Sequence, residues 1–119
     1  MNVQLNLVDN SKGLGNGGVV IFKAISAGGP YEAWKIISDS DFEANNYPFV
    51  YPVGQGESPT LYVGVASSAE PGMLMEAVQT QSNTAVNLLG LQSATIIMTG
   101  GGVGPNAEPY QFNLANPQA

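Results

Sequence analysis

Val19-Val-Ile-Phe-Lys-Ala-Ile25 is the stretch from which the fold is read. It is short, rich in β-branched and aromatic side chains, and closed at both ends by residues that break regular structure: Gly15-Asn-Gly-Gly18 before it and Ser26-Ala-Gly-Gly-Pro30 after it. That combination predicts a strand. Outward from it the same period of two recurs. Val3, Leu5 and Leu7 alternate with Gln4 and Asn6, and Leu61, Val63 and Val65 alternate with Tyr62 and Gly64. Ile96 and Met98 stand opposite Thr95, Ile97 and Thr99, and Tyr110-Gln-Phe-Asn-Leu114 alternates strictly.

Between these strands the chain offers Tyr31–Ile37, with Trp34 as a core anchor, and Phe49-Val-Tyr51 bracketed by Pro48 and Pro52. A proline at each end marks the latter as an edge strand or extended connection. Met73–Val78 reads as a strand or one helical turn, and Thr84–Leu91 as a strand. The Gly-rich loop from Asp9 to Gly18 predicts a hairpin joining the strand around Leu5 to the strand around Ile21. Period 3.6 barely occurs and no composition break divides the chain. The expectation is one all-β domain over residues 1–119: an antiparallel β-sandwich, jelly-roll or Ig-like, of seven to nine short strands.

Val19–Ile25 is apolar on both faces, Val20, Phe22 and Ala24 on one and Val19, Ile21 and Ile25 on the other, whereas a strand in a two-layer sandwich needs one apolar face. Two readings follow. Loops cover the second face, or another copy of the chain does.

Composition narrows the chemistry. The chain has no His, no Cys and no Arg, and Lys12, Lys23 and Lys35 are its only basic side chains, for a formal charge of −6. Charged residues are 10% of the total, against roughly 25% in an average soluble protein. Eleven Asn and seven Gln help to make the surface polar without charge. Nothing here forms a basic footprint for nucleic acid, and haem or transition-metal sites built on His or Cys have no ligands. Without His a hydroxyl nucleophile lacks its usual base, and no S-x-x-K pattern replaces it. The chain is therefore read as non-enzymatic. Met1–Val8 has neither a basic n-region nor an apolar core, so no signal peptide is expected there. No segment approaches the ~20 apolar residues of a membrane span, and no membrane insertion is expected.

Two motifs resemble ligand sites. Asp39-Ser-Asp-Phe-Glu43 places Asp39, Asp41 and Glu43 at alternating positions, a weak candidate for Ca²⁺, the only cofactor considered. An EF-hand starting at Asp39 would need Gly and Glu where Ala44 and Val50 stand. Thr99-Gly-Gly-Gly-Val-Gly-Pro-Asn106 looks like a phosphate cradle, but it lacks the third fingerprint glycine and any Lys-Ser/Thr pair. It is read as a loop whose backbone takes positive φ or approaches other backbone closely.

Several blocks also carry a resemblance. Leu7-Val-Asp-Asn-Ser11, Val19-Val-Ile-Phe22, Ala33-Trp-Lys-Ile-Ile37, Pro48-Phe-Val-Tyr-Pro52, Leu88-Leu-Gly-Leu91, Ile97-Met-Thr-Gly-Gly-Gly-Val-Gly-Pro-Asn106 and Tyr110-Gln-Phe112 cover most of the chain in order. Together they resemble a family of small uncharacterised bacterial β-rich proteins. This chain looks like a compact form, with only Val53–Pro59 where larger relatives carry extra sequence. The resemblance implies a bacterial origin and a β-fold, and it supplies no catalytic residues.

Two functional expectations follow. The first is a structural protein whose partner is itself, assembling into a filament, tube, layer or crystalline body through sandwich faces or edge strands. Val3, Leu5, Leu7, Val19, Ile21, Ile25, Tyr110, Phe112 and Leu114 are its expected contact residues. The alternative is a lectin-like module binding carbohydrate or another small ligand, with Tyr47, Tyr51, Tyr62, Tyr110, Asn45, Asn46 and Asn106 as its palette.

Overall fold

The apolar alternation resolves into eight strands in the computed structural model, which describes residues 1–119. They are β1 (Asn2–Asp9), β2 (Gly18–Ala24), β3 (Tyr31–Ile37), β4 (Asn46–Pro52), β5 (Thr60–Ala66), β6 (Gln81–Asn87), β7 (Ser93–Gly101) and β8 (Glu108–Gln118). One sheet has the order β4-β1-β7-β8 and the other β3-β2-β5-β6. Every ladder is antiparallel except β1 with β7. The sandwich expected from the sequence is therefore the fold, with Phe49-Val-Tyr51 on the edge strand β4.

The main core lies between the sheets. Val3, Leu5 and Leu7 of β1, with Ala94, Ile96 and Met98 of β7, meet Val19 and Ile21 of β2 and Leu61, Val63 and Val65 of β5. Tyr110 and Phe112 of β8 close one flank, while Phe49 and Tyr51 of β4 close the other. On that second flank Trp34 packs on Tyr51 at 5.4 Å between ring centroids, nearly edge-on. Trp34 itself is only half-buried. Its exposed side is capped by Lys35, whose Nζ lies 5.0 Å from the ring.

Val20 and Phe22 point the other way, and a second cluster buries them with Ala33, Ala66 and Val78. The cover is residues 67–80, a strap that runs across the outer face of β2, β3 and β5. Ala69, Met73 and Met75 pack onto that cluster. Two backbone bonds tie the strap to β3: Ala33 N–H donates to Met73 C=O at 2.7 Å, and Gly72 N–H to Ala33 C=O at 2.8 Å. Both faces of β2 are thus buried within one chain.

Three expectations need correction. The strands β1 and β2 do not form a hairpin, because β1 has β4 and β7 as neighbours and β2 has β3 and β5. The Gly-rich loop crosses between sheets instead and buries Leu14 in the core. The strand expected at Thr84–Leu91 is shifted to Gln81–Asn87, since a turn with Leu91 N–H bonded to Leu88 C=O ends it. Third, Val3, Leu5, Leu7, Val19, Ile21, Tyr110 and Phe112 are core residues whose side chains offer no face to a second copy. Alternation shows that one face is apolar without showing which side of the molecule it meets. Of the expected contact residues only Ile25, 46% exposed, and Leu114, 39% exposed, reach solvent.

Phe22 is fully buried under the strap, so Phe22→Ala should cost about 3–5 kcal/mol. Urea denaturation of the variant against wild type measures it. A cost as small as that of a surface substitution would show that the strap leaves the outer face accessible.

Candidate interaction surface

Exposed sheet edges carry unpaired N–H and C=O groups, so each of the four edges must be accounted for. On β1 the even residues bond toward β7, as shown by Gln4 N–H to Gln92 C=O at 2.9 Å and Asn10 N–H to Met98 C=O at 2.8 Å. The odd ones face β4, as Asp9 N–H to Asn45 C=O shows. Pro48, Val50 and Pro52 oppose the even residues Asn6, Gln4 and Asn2. Their amide positions therefore point outward, and two of the three have no N–H to offer. The β4 edge is blunted by proline. The β3 edge is occupied at Ala33 by the strap.

The other two edges, β6 and β8, lie side by side on the opposite flank. The β6 edge is broken by a register shift opposite Val63–Val65 and by Ser82 at φ 57°. By contrast β8 keeps unbroken register with β7 from Gln111 to Ala115. Met98 C=O points to β1, so Ile97 and Thr99 bond to Asn113 and Gln111. Phe112 and Leu114 consequently turn their backbone N–H and C=O groups outward. No further strand pairs with them.

The solvent face of the same sheet has an unusual composition. The outward positions are Asn2, Gln4, Asn6 and Val8 on β1 and Pro48, Val50 and Pro52 on β4. Thr95, Ile97 and Thr99 follow on β7, then Gln111, Asn113 and Ala115 on β8. None of them is charged. Within this face Asn6 Nδ2 donates to Asn46 Oδ1 at 2.9 Å, which leaves Asn6 Oδ1 buried without a partner. Period-two alternation marks these strands and their apolar parity, whereas this face is the opposite parity. Val8, Val50 and Ile97 are its apolar members, and their signal in the sequence is an outward parity with no Lys, Asp or Glu.

Charge is segregated along the chain as well. Glu108 is the single charged residue from Ala77 to Ala119, and Lys12 pairs with it at 2.9 Å. The flank built from β6, β7 and β8 is therefore close to neutral in a molecule of net charge −6.

The β1–β2 and β7–β8 loops meet at one end of the sandwich and bound a groove of about 460 Å³ lined by Lys12, Asn16, Ser67, Gln81 and Tyr110 among others. Lys12 Nζ donates to Asn106 C=O at 2.8 Å, and Tyr110 Oη donates to Gly13 C=O at 2.7 Å. Burial pushes the Tyr110 phenol above its usual range, with Asp39 and Asp9 adding to the shift. It stays a donor. The triple glycine is structural, as expected: a Cβ on Gly100 (φ +88°) would sit 2.0 Å from Pro109 C=O, and one on Gly101 would strike the Tyr110 ring.

The residues expected to hold Ca²⁺ bond to different partners. Asp39 Oδ2 accepts from Leu14 N–H at 3.3 Å, and Asp41 Oδ2 accepts from Ser38 N–H at 2.9 Å in a capping box. Glu43 exchanges backbone bonds with Asn46. No three acids converge on a metal-sized space. The aromatic palette also disperses. Tyr51 is wholly buried in the core, Tyr62 packs at 4.9 Å against Tyr31, and of the four tyrosines only Tyr110 lines the groove.

At the far end Lys23 and Glu57 form a 2.7 Å ion pair. The Lys23 bond, with a second from Gly54 N–H, holds the Glu57 carboxyl below the usual carboxylate range. Tyr51 lies beneath, its hydroxyl buried and without a hydrogen-bond partner. Comparison with protein-family models, with characterised proteins and with solved structures finds no match.

Two outcomes follow. Burial raises the Tyr51 phenol above its ordinary value of 10.0, so on a pH rise the unfolded chain ionises first. The stability due to this group is complete below about pH 10 and falls at higher pH. Tyr51→Phe should flatten that alkaline decline and, by removing an unpaired buried hydroxyl, raise stability at pH 7 by about 1 kcal/mol. Thermal unfolding across pH 7–11 checks both. Gly100→Ala should cost well over ~1 kcal/mol, because strain and backbone overlap add. Gly104→Ala, at φ +76° with open space around it, should cost only the conformational ~1–2 kcal/mol.

Proposed function

We propose that this chain is a non-enzymatic structural protein that associates with itself through the β4-β1-β7-β8 sheet. The observation that carries the reading is the solvent face of that sheet, which has no charged residue on any of its four strands. Soluble β-proteins ordinarily place Lys or Glu on such faces to prevent sheet association. Here Thr95, Ile97, Thr99, Val8 and Val50 form a neutral, partly apolar plane, rimmed by Asn2, Gln4, Gln111 and Asn113. Another such plane can pack on it without desolvating an ion, and the side-chain amides are both donors and acceptors. The catalytic reading gains no support, since no three acids cluster, the Tyr31 and Tyr110 hydroxyls donate to backbone carbonyls, and that of Tyr51 is buried.

Light scattering and sedimentation over a concentration series test this. Wild type should exceed its 12.4 kDa monomer mass. The association should change little with NaCl, because no ion pairs are screened, and should strengthen in sulfate. Ile97→Lys, at a half-buried outward position, should keep the strand signature in circular dichroism and weaken association. A strictly monomeric wild type at high concentration would overturn the reading.

A further inference from the structure

We propose that the primary self-association is a closed two-fold dimer in which β8 pairs antiparallel with β8 of a second copy. This rests on the self-association reading, and it adds an edge contact of the same sheet to the face contact that Ile97→Lys tests.

A head-to-tail chain of sandwiches would have to join an open edge of one copy to the opposite edge of the next. In the first sheet that opposite edge is β4, where Pro48 and Pro52 remove two of three outward donors. In the second sheet it is β3, where the strap holds both the N–H and the C=O of Ala33. Both open edges lie on one flank, so edge pairing must bring like flanks together. That arrangement closes.

Of the two open edges β8 fits better. Its Gln111–Ala115 run is unbulged, whereas β6 is interrupted at Ser82. Phe112 and Leu114 present outward backbone pairs. An axis through Asn113 sets Phe112 of each copy against Leu114 of the other, and each such pair exchanges two N–H···O=C bonds. On the outer face Asn113 meets Asn113 of the second copy, and two amides can satisfy each other. On the core side Leu114 continues the Tyr110–Phe112 row but is 39% exposed. The second copy would cover it. Pro109 and Pro117 delimit the paired stretch.

Electrostatics selects the same flank. Two molecules of charge −6 repel, and this is the side on which the lone acid, Glu108, is already paired with Lys12. The product is a continuous eight-stranded sheet, β4-β1-β7-β8 followed by its two-fold mate, bounded at both ends by the proline-blunted β4.

The chain has no cysteine, so a single introduced thiol reports the axis. Asn113→Cys should form a disulfide-linked dimer under mild oxidation, since directly opposed Cβ atoms lie about 4.5–5.5 Å apart. Gln4→Cys, on the same face near β4, should not. Leu114→Lys should raise the dimer dissociation constant roughly tenfold or more, with an unchanged circular dichroism spectrum. Wild type that associates while Asn113→Cys fails to cross-link and Leu114→Lys has no effect would overturn the β8 axis and leave self-association standing. Open filaments in negative stain would overturn the closed symmetry alone. A monomer in every sample would sink both readings.

Discussion

Burial of both faces of β2 is the constraint on which the rest of the structure depends. Val19 and Ile21 can leave water only if a second sheet packs beneath them, and Val20 and Phe22 only if something lies above. With roughly 1.5–3 kcal/mol at stake for each large side chain, neither face can be left wet in a domain this small. The first requirement draws β1 and β7 across from β2 and β5. The second draws residues 67–80 over the outer face, where Val78 and the flexible Met73 and Met75 fill the irregular surface around Phe22.

The strap also has a consequence for the edges. By bonding Ala33 on both its backbone groups it occupies the β3 edge as well as covering the sheet. One loop thereby does what charged side chains do in many β-proteins. On the other sheet the same protection falls to prolines in β4. Protection is thus concentrated on one flank, and the flank of β6 and β8 has neither charge nor proline within its paired run. The asymmetry gives the scarcity of charge a direction in space, which composition alone does not contain.

The glycine-rich end has a structural explanation. Gly100 and Gly101 let β8 begin hard against β7 and let the Tyr110 ring lie flat on the chain, from where its hydroxyl reaches Gly13. Lys12 is spent on Asn106 and Glu108 at the same place. These bonds tie the first loop to the last and fix the start of the strand whose edge stays open. The phosphate-cradle likeness of the glycine run ends there: its backbone packs on its own chain.

Most strand positions, the edge character of Pro48–Pro52 and the structural role of the glycine run were legible in the sequence, because period-two alternation and φ-restricting residues act locally. The lack of His, Cys and Arg and the neutrality of the polar surface were legible for the same reason. Only the tertiary structure decided which parity of each strand faces the core, that β1 is an interior strand, and that Asp39, Asp41 and Glu43 do not converge. Those outcomes depend on which strands become neighbours, and pairing is set by global burial among residues far apart in the chain. A period of two states that a strand has two sides; the partner sheet and the strap determine which of them meets water.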